Sequence, residues 1–272
     1  MRILTRTLGY ALMCVVGVLC AGPFLWTLAT SLKGTEDVFA FPPTFIPREP
    51  SLRNFTGVWE AIPFGAYVWN SLIVASVGTA ANVLLASLAA YPLARMRFRG
   101  KAVVTTLILA TMMVPEQVVM IPVYTLLMNL GLLNTLAGVI LPSSVNAFGI
   151  FLMVQYYRSV PRELDEAAVM DGCGAFHVWW QILLPLSRPA IATLAAFTFV
   201  GLWSSFLWPL IVLRDSANYT LPVGLNALMS SFSSDYKYLA AGAVLSILPV
   251  LAVFLVMQRY FVRGVLTTGL KS

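Results

Sequence analysis

Four carboxylates, Glu163, Asp165, Glu166 and Asp171, crowd one short stretch of this chain, and its single histidine, His177, follows them. One histidine cannot build a zinc site alone. With Gln181 it falls on a solvated polar face, and no catalytic role is assigned to it. No GxxxxGK[ST] loop is present: the one Gly-Lys pair, Gly100-Lys101, runs into Ala102 and lacks the upstream glycine. HExxH, GxSxG and paired intramembrane aspartates are also missing. The chain therefore reads as a non-enzyme with no metal and no cofactor of its own. The chemistry left to its acids is non-covalent: they cap a helix, or they present negative charge to a basic partner.

A second set of polar residues sits in apolar surroundings: Asn70, Asn82, Glu116, Gln117 and Asn146, with Trp203, Ser204 and Ser205 further on. Polar groups inside membrane spans are costly and so are candidates for a solute pathway. Each can equally serve an interhelical hydrogen bond or a satisfied kink. Glu116 stands out because it is ionisable and follows Pro115 near the middle of its span.

The surrounding elements follow from composition. Hydrophobic residues make up 59% and charged residues 10% of 272 residues. A soluble domain carries about 25% charged residues, so this is an integral membrane protein. The apolar runs predict six helical spans at about 10–32, 67–93, 102–126, 135–157, 190–213 and 238–260, since an isolated strand cannot satisfy its backbone in lipid. They form a single membrane domain over 1–272, with a core at about 67–260. The first run exceeds a signal-peptide core and has no clean cleavage site, so it counts as a span. Pro92, Pro115, Pro122, Pro142, Pro209 and Pro249 lie in or at the ends of spans and predict kinks.

Of the 17 Lys and Arg residues, twelve fall at the two termini and in the 2–3 and 4–5 connections, and five in the other loops. The positive-inside rule then puts both termini and the 158–189 segment in the cytoplasm. The net charge of +6 fits helix ends anchored at a membrane and gives no reason to expect nucleic acid. Cys14, Cys20 and Cys173 form no disulfide framework. On the outer side, the prolines of residues 33–66 favour an extended path. Residues 214–237 form a second loop, rich in Ser and Asn.

Within 158–189, Pro161 suits a helix's first turn. The acids that follow sit near the positive end of its dipole. Small Ala167 and Ala168 allow close approach by another surface, and Gly172 and Gly174 end the helix. A second helix over about 175–184, closed by Leu184-Pro185, sets Phe176, Trp179, Trp180 and Leu183 in a stripe suited to the membrane interface. From the residues alone the segment is either a knob for a partner's groove or an ordinary amphipathic connector.

EAAVMDG at 166–172, nine residues, and then Ile182, Leu184 and Pro185 resemble the EAA loop of the membrane subunits of bacterial ATP-binding-cassette importers. AAYPLAR at 89–95, Asn70-Ser71, TLPVGL at 220–225 and the tail RGVLTTGLKS extend the resemblance to the MalG-like branch of carbohydrate-uptake permeases. The resemblance implies an all-α, six-span, type I importer permease in the bacterial inner membrane. Glu166, Ala167, Ala168, Asp171, Gly172, Ile182, Leu184 and Pro185 would form its cytoplasmic coupling helix and the flank of that helix. It also implies a second homologous permease, two ATPase subunits that bind ATP and Mg, an extracellular or periplasmic binding protein and a carbohydrate cargo. The tail around Thr267–Ser272 would touch the ATPases, and Asn218–Ser234 would face the binding protein. Relatives often carry Trp-Asn and then a polar residue where this chain has Trp203-Ser204-Ser205. A self-sufficient channel or ion-coupled transporter is the alternative; it would usually show more intramembrane carboxylates or an inverted repeat.

Overall fold

The computed structural model describes residues 2–230 and 236–268, and its regular elements are helical throughout. In chain order the principal helices are α1 (Arg2–Ser31), α2 (Arg53–Ala61), α3 (Phe64–Arg95), α4 (Lys101–Thr111), α5 (Glu116–Asn129), α6 (Leu136–Ser143) and α7 (Ala147–Ser159). They continue with α8 (Glu163–Met170), α9 (Ala175–Leu186), α10 (Arg188–Trp203), α11 (Leu207–Val212), α12 (Leu221–Ser230) and α13 (Tyr236–Thr268). Three continuous stretches are long and apolar enough to cross a membrane, Gly9–Ser31, Phe64–Arg95 and Tyr236–Gln258. Three bent pairs raise the number to as many as six where each is one span: α4 with α5 at 99°, α6 with α7 at 43° and α9 with α10 at 78°.

Three expected spans are not single rods. The third, read as 102–126, breaks between Thr111 and Glu116. Pro115 has no N–H to give, and it pushes the residue before it out of the helical region. It caps α5 in an extended conformation instead. The fourth, read as 135–157, parts between Ser143 and Ala147. The fifth, read as 190–213, ends α10 at Trp203 and restarts as α11 at Leu207. Pro209 then lies in the first turn of α11, where a missing N–H is tolerated. Pro92 and Pro249 lie inside α3 and α13, which run on through them.

The chain divides into two compact units, Met1–Val68 with Leu221–Pro249, and Trp69–Thr220 with Val250–Ser272. In the first, the segment expected to be extended contains α2. Asn54 donates from Nδ2 to the Ser31 and Lys33 carbonyls at 2.8 and 2.9 Å. Lys33 is buried, lies 4.7 Å over the Trp26 ring and donates to the Thr44 carbonyl. The described part of the 214–237 segment, read as a loop, is partly helical. It carries α12, whose Leu221, Val223, Leu225 and Leu228 are buried. Gly224 lets that helix touch Tyr67 so closely that a Cβ would lie 2.0 Å from the ring.

The second unit has two apolar cores. One gathers Tyr91, Ala94, Met153, Tyr157, Trp179 and Leu183 beneath the acidic segment. The other gathers Val74, Leu127, Val139, Val212 and Leu213.

Candidate functional site

The acidic segment is an eight-residue helix, α8, mounted on the second unit. Its C-terminal end closes as a Schellman turn. The Cys173 N–H donates to the Ala168 carbonyl at 2.9 Å and the Gly172 N–H to the Val169 carbonyl at 3.0 Å. Gly172 takes φ +83°, a region that side-chain-bearing residues avoid. The two alanines part company. Ala168 packs into the core below, whereas Ala167 stays exposed. Glu163, Glu166 and Asp171 share the exposed side with Leu164, Val169 and Met170, the last 87% exposed.

Asp165 turns the other way. Its Oδ2 lies 3.0 Å from Arg95 Nε, with side-chain exposures of 19% and 5%. The contact has ion-pair length without hydrogen-bond alignment, and Asp165 Oδ1 is buried without a partner among the described residues. Arg95 also donates from Nη2 to the Val160 carbonyl at 2.9 Å. Burial pushes the Asp165 carboxyl above its usual range. Arg95 and Arg162 pull it down, and Glu166 adds to the rise. An ion pair this enclosed is a weak source of stability, because desolvation offsets attraction. Its effect is geometric, since it ties the end of α3 to the start of α8.

The second helix differs from the interfacial stripe expected. Trp179 and Leu183 are buried in the core, together with Val178, while Phe176 and Trp180 remain exposed. A π-helical turn over Val178–Leu183 widens the helix, and this brings three large side chains inward at once. Leu184-Pro185 does not close it. The helix continues to Leu186 and turns at buried Ser187, whose hydroxyl donates to the Leu183 carbonyl at 2.6 Å. Ile182 and Leu184 are partly buried against the same core and Pro185 is exposed. These three residues therefore belong to the mount and its edge, and the exposed face belongs to α8.

Elsewhere in this unit, the helix breaks meet around a cavity of about 550 Å³. Glu116 opens α5 beyond the α4–α5 break, Asn146 caps α7 beyond the α6–α7 break, and Ser205 lies between α10 and α11. Trp208, Phe148 and Phe197 supply aromatic wall, the two phenylalanines meeting edge to face at 6.1 Å. Unwound backbone at membrane depth is tolerated only where it is buried in protein or lines a watery cavity. The Asn146 side-chain oxygen, Oδ1, accepts from the Gly149 N–H at 2.6 Å, which leaves its side-chain amide nitrogen as the donor end. Trp208 gave no signal in the sequence beyond its type; only the restart of α11 brings it to the cavity.

The other pathway candidates lie elsewhere. Asn70 donates to the Ala217 and Tyr219 carbonyls, both at 3.0 Å. Asn82 is buried and donates to the Ser143 carbonyl at 3.3 Å. Trp203 is 4% exposed and stacked on Phe199. Gln117 and Ser204 are exposed outside the cavity lining. Of the expected outer docking segment, residues 231–234 lie outside the described residues, as do residues 269–272 of the tail.

Residues 82–267 match the family described as binding-protein-dependent transport system inner membrane component. Over 269 residues the chain is 33% identical to the arabinooligosaccharides transport system permease protein AraQ of Halalkalibacterium halodurans, covering 98% of this chain and 95% of that one. It is 34% identical over 245 residues to the sn-glycerol-3-phosphate transport system permease protein UgpE of Yersinia enterocolitica, covering 87% of each. Among solved structures, one from a bacterial ABC transporter involved in the import of the acidic polysaccharide alginate matches with a TM-score of 0.82 at 26% identity. That match covers 95% of this chain and 96% of the other.

Proposed function

This chain belongs to the binding-protein-dependent transport system inner membrane components, in their sugar-permease branch, and on that premise we propose that it forms half of the translocation pathway of an ATP-driven carbohydrate importer. The other half is a homologous permease. Two ATPase subunits bind ATP and Mg, and a binding protein delivers cargo from outside. Both termini and α8 face the cytoplasm.

The observation that carries this reading is the two-sidedness of α8. Its outer side offers Glu163, Glu166 and Asp171 beside bare Leu164, Val169 and Met170, a mixture that suits a basic-rimmed apolar groove. Its inner side is fixed to the second unit by Ala168 and by the Asp165–Arg95 contact. A helix held this way passes a push from the ATPase into α3 and α7 with little slack. The protein interior is densely packed and transmits strain. The cavity bordered by the helix breaks is this chain's share of the cargo path.

The test is a cysteine cross-link. Met170→Cys in the detergent-solubilised complex should join this chain to a P-loop ATPase, and nucleotide should change the yield. A complex with no ATPase, or an ATPase that never links to α8, overturns the assignment. Glu166→Lys reverses the charge at the same contact and should leave ATP hydrolysis uncoupled from uptake.

A further inference from the structure

The cavity bordered by Glu116, Asn146 and Ser205 has a lining whose chemistry selects among solutes. Glu116 is its one charged side chain, and no Lys, Arg or His lines it among the described residues. The carboxylate sits in the first turn of α5, where the positive end of the helix dipole lowers the cost of holding a charge. A carboxylate only accepts hydrogen bonds. Asn146, with its oxygen already taken by Gly149, offers donors. Ser205 can do either. Around these stand the faces of Trp208, Phe148 and Phe197. The volume, about 550 Å³, falls in the ordinary range of roughly 300–1,000 Å³ for small-molecule sites. A second cavity of about 540 Å³ in the same unit has no charged lining residue at all.

An anion would satisfy Asn146 and be repelled by Glu116. A cation would satisfy Glu116 and leave the amide donors of Asn146 with nothing to accept them. Among the described residues no group of three or more His, Cys, Asp or Glu side chains could hold a metal ion. An uncharged polyol serves both ends: one hydroxyl donates to the carboxylate, another accepts from the amide, and its C–H face lies on an aromatic ring.

We propose that this cavity is a binding site for a neutral sugar unit, held by Glu116 and Asn146 against the Trp208 ring, and that it rejects phosphorylated, sulfonated or uronate sugars. The proposal rests on the permease reading and names the cargo class at this chain's part of the path.

The experiment uses the assembled transporter in proteoliposomes, with Cys14, Cys20 and Cys173 replaced by serine. Ser205→Cys then places one thiol of this chain at the cavity wall, and labelling is read by mass on this chain alone. Two methanethiosulfonate reagents are compared, one trimethylammonium-bearing and one sulfonate-bearing, each normalised to its rate with a small free thiol. The cationic reagent should react about tenfold faster or more, as a one-signed cleft concentrates its counter-ion. Glu116→Gln should bring the ratio close to one. A panel of neutral disaccharides should slow both reagents. The same sugars carrying a phosphate or a uronate, and tetramethylammonium, should not. Equal normalised rates, protection by the charged compounds, or protection by none of the panel overturns the proposal. ATP-dependent uptake by the cysteine-replaced transporter that keeps Ser205 separates the two claims. Uptake without charge-selective labelling sinks the cavity chemistry alone. Charge-selective, sugar-protected labelling with no ATP-dependent uptake sinks the importer reading and leaves the cavity chemistry standing.

Discussion

The mount of α8 and the cavity in the same unit are both made from interrupted helices, and they use the interruption in opposite ways. At Gly172 and Ser187 the freed backbone groups are answered within the adjoining turn, by the Schellman turn and by the Ser187 hydroxyl. The space between the pieces is filled by Trp179, Leu183 and Ala168. Around Glu116, Asn146 and Ser205 the pieces part, and polar side chains border a void. A filled break keeps its neighbours in one body and passes force through it. An open break exposes directional polar groups and can grip a solute. One chain can thus use the same device both for transmission and for recognition.

The difference can be broken most severely at the filled end. Arg95→Ala leaves Asp165 as an unpaired, mostly enclosed charge and should cost about 3–5 kcal/mol, seen as loss of assembled complex in detergent. Glu166→Lys should leave membrane insertion intact and cost about 2–5 kcal/mol at the docking contact, read as uptake lost while membrane abundance holds; normal uptake would remove the docking role of α8. Gly172→Val forces a β-branched residue to φ +83°, worth about 1–3 kcal/mol, and should lower the complex's thermal midpoint.

Asp165→Asn tests the same mount more gently, because it removes the charge while keeping an oxygen of the same shape beside Arg95. The Asp165 carboxyl is raised in the fold, so the folded state takes up a proton before the unfolded chain does as pH falls. Its contribution to stability therefore grows on acidification and is lost as pH rises. As pH falls from about 7 into the ordinary carboxylate range at about 4, the stability of the wild type relative to Asp165→Asn should shift in favour of the wild type. A shift the other way would mean the Arg95 attraction outweighs burial. At the open end, Gln117→Ala should change cargo affinity and stability by less than about 0.5 kcal/mol, the ordinary range for surface sites. A larger effect on cargo affinity would move the path away from the cavity drawn by Glu116, Asn146 and Ser205.

What could be read ahead of the fold was whatever depends on local spacing. EAAVMDG, its turn glycine and the nine-residue gap to Ile182 mark the segment because a helix end and its left-handed turn are short-range features. The number of apolar runs is equally local, since each must be long enough for lipid. Which prolines would break a span could not be read. Pro92 and Pro249 are carried through intact helices, whereas Pro115 and Pro209 border breaks. A proline's effect depends on whether neighbouring groups or a cavity can answer the carbonyl it frees.

The sequence by itself settled that this is a membrane-embedded helical chain with an acidic, glycine-ended segment between two apolar runs, because composition and one-turn spacing act within a few residues. Tertiary structure alone decided that Asp165 turns to Arg95 while Glu166 faces out, that Ala167 and Ala168 separate, and that Glu116, Asn146 and Ser205 share one cavity with Trp208 while Asn70, Asn82 and Trp203 do not. Those outcomes join side chains dozens of residues apart. They depend on helix rotation and on where the breaks fall, which the packing of the whole unit fixes.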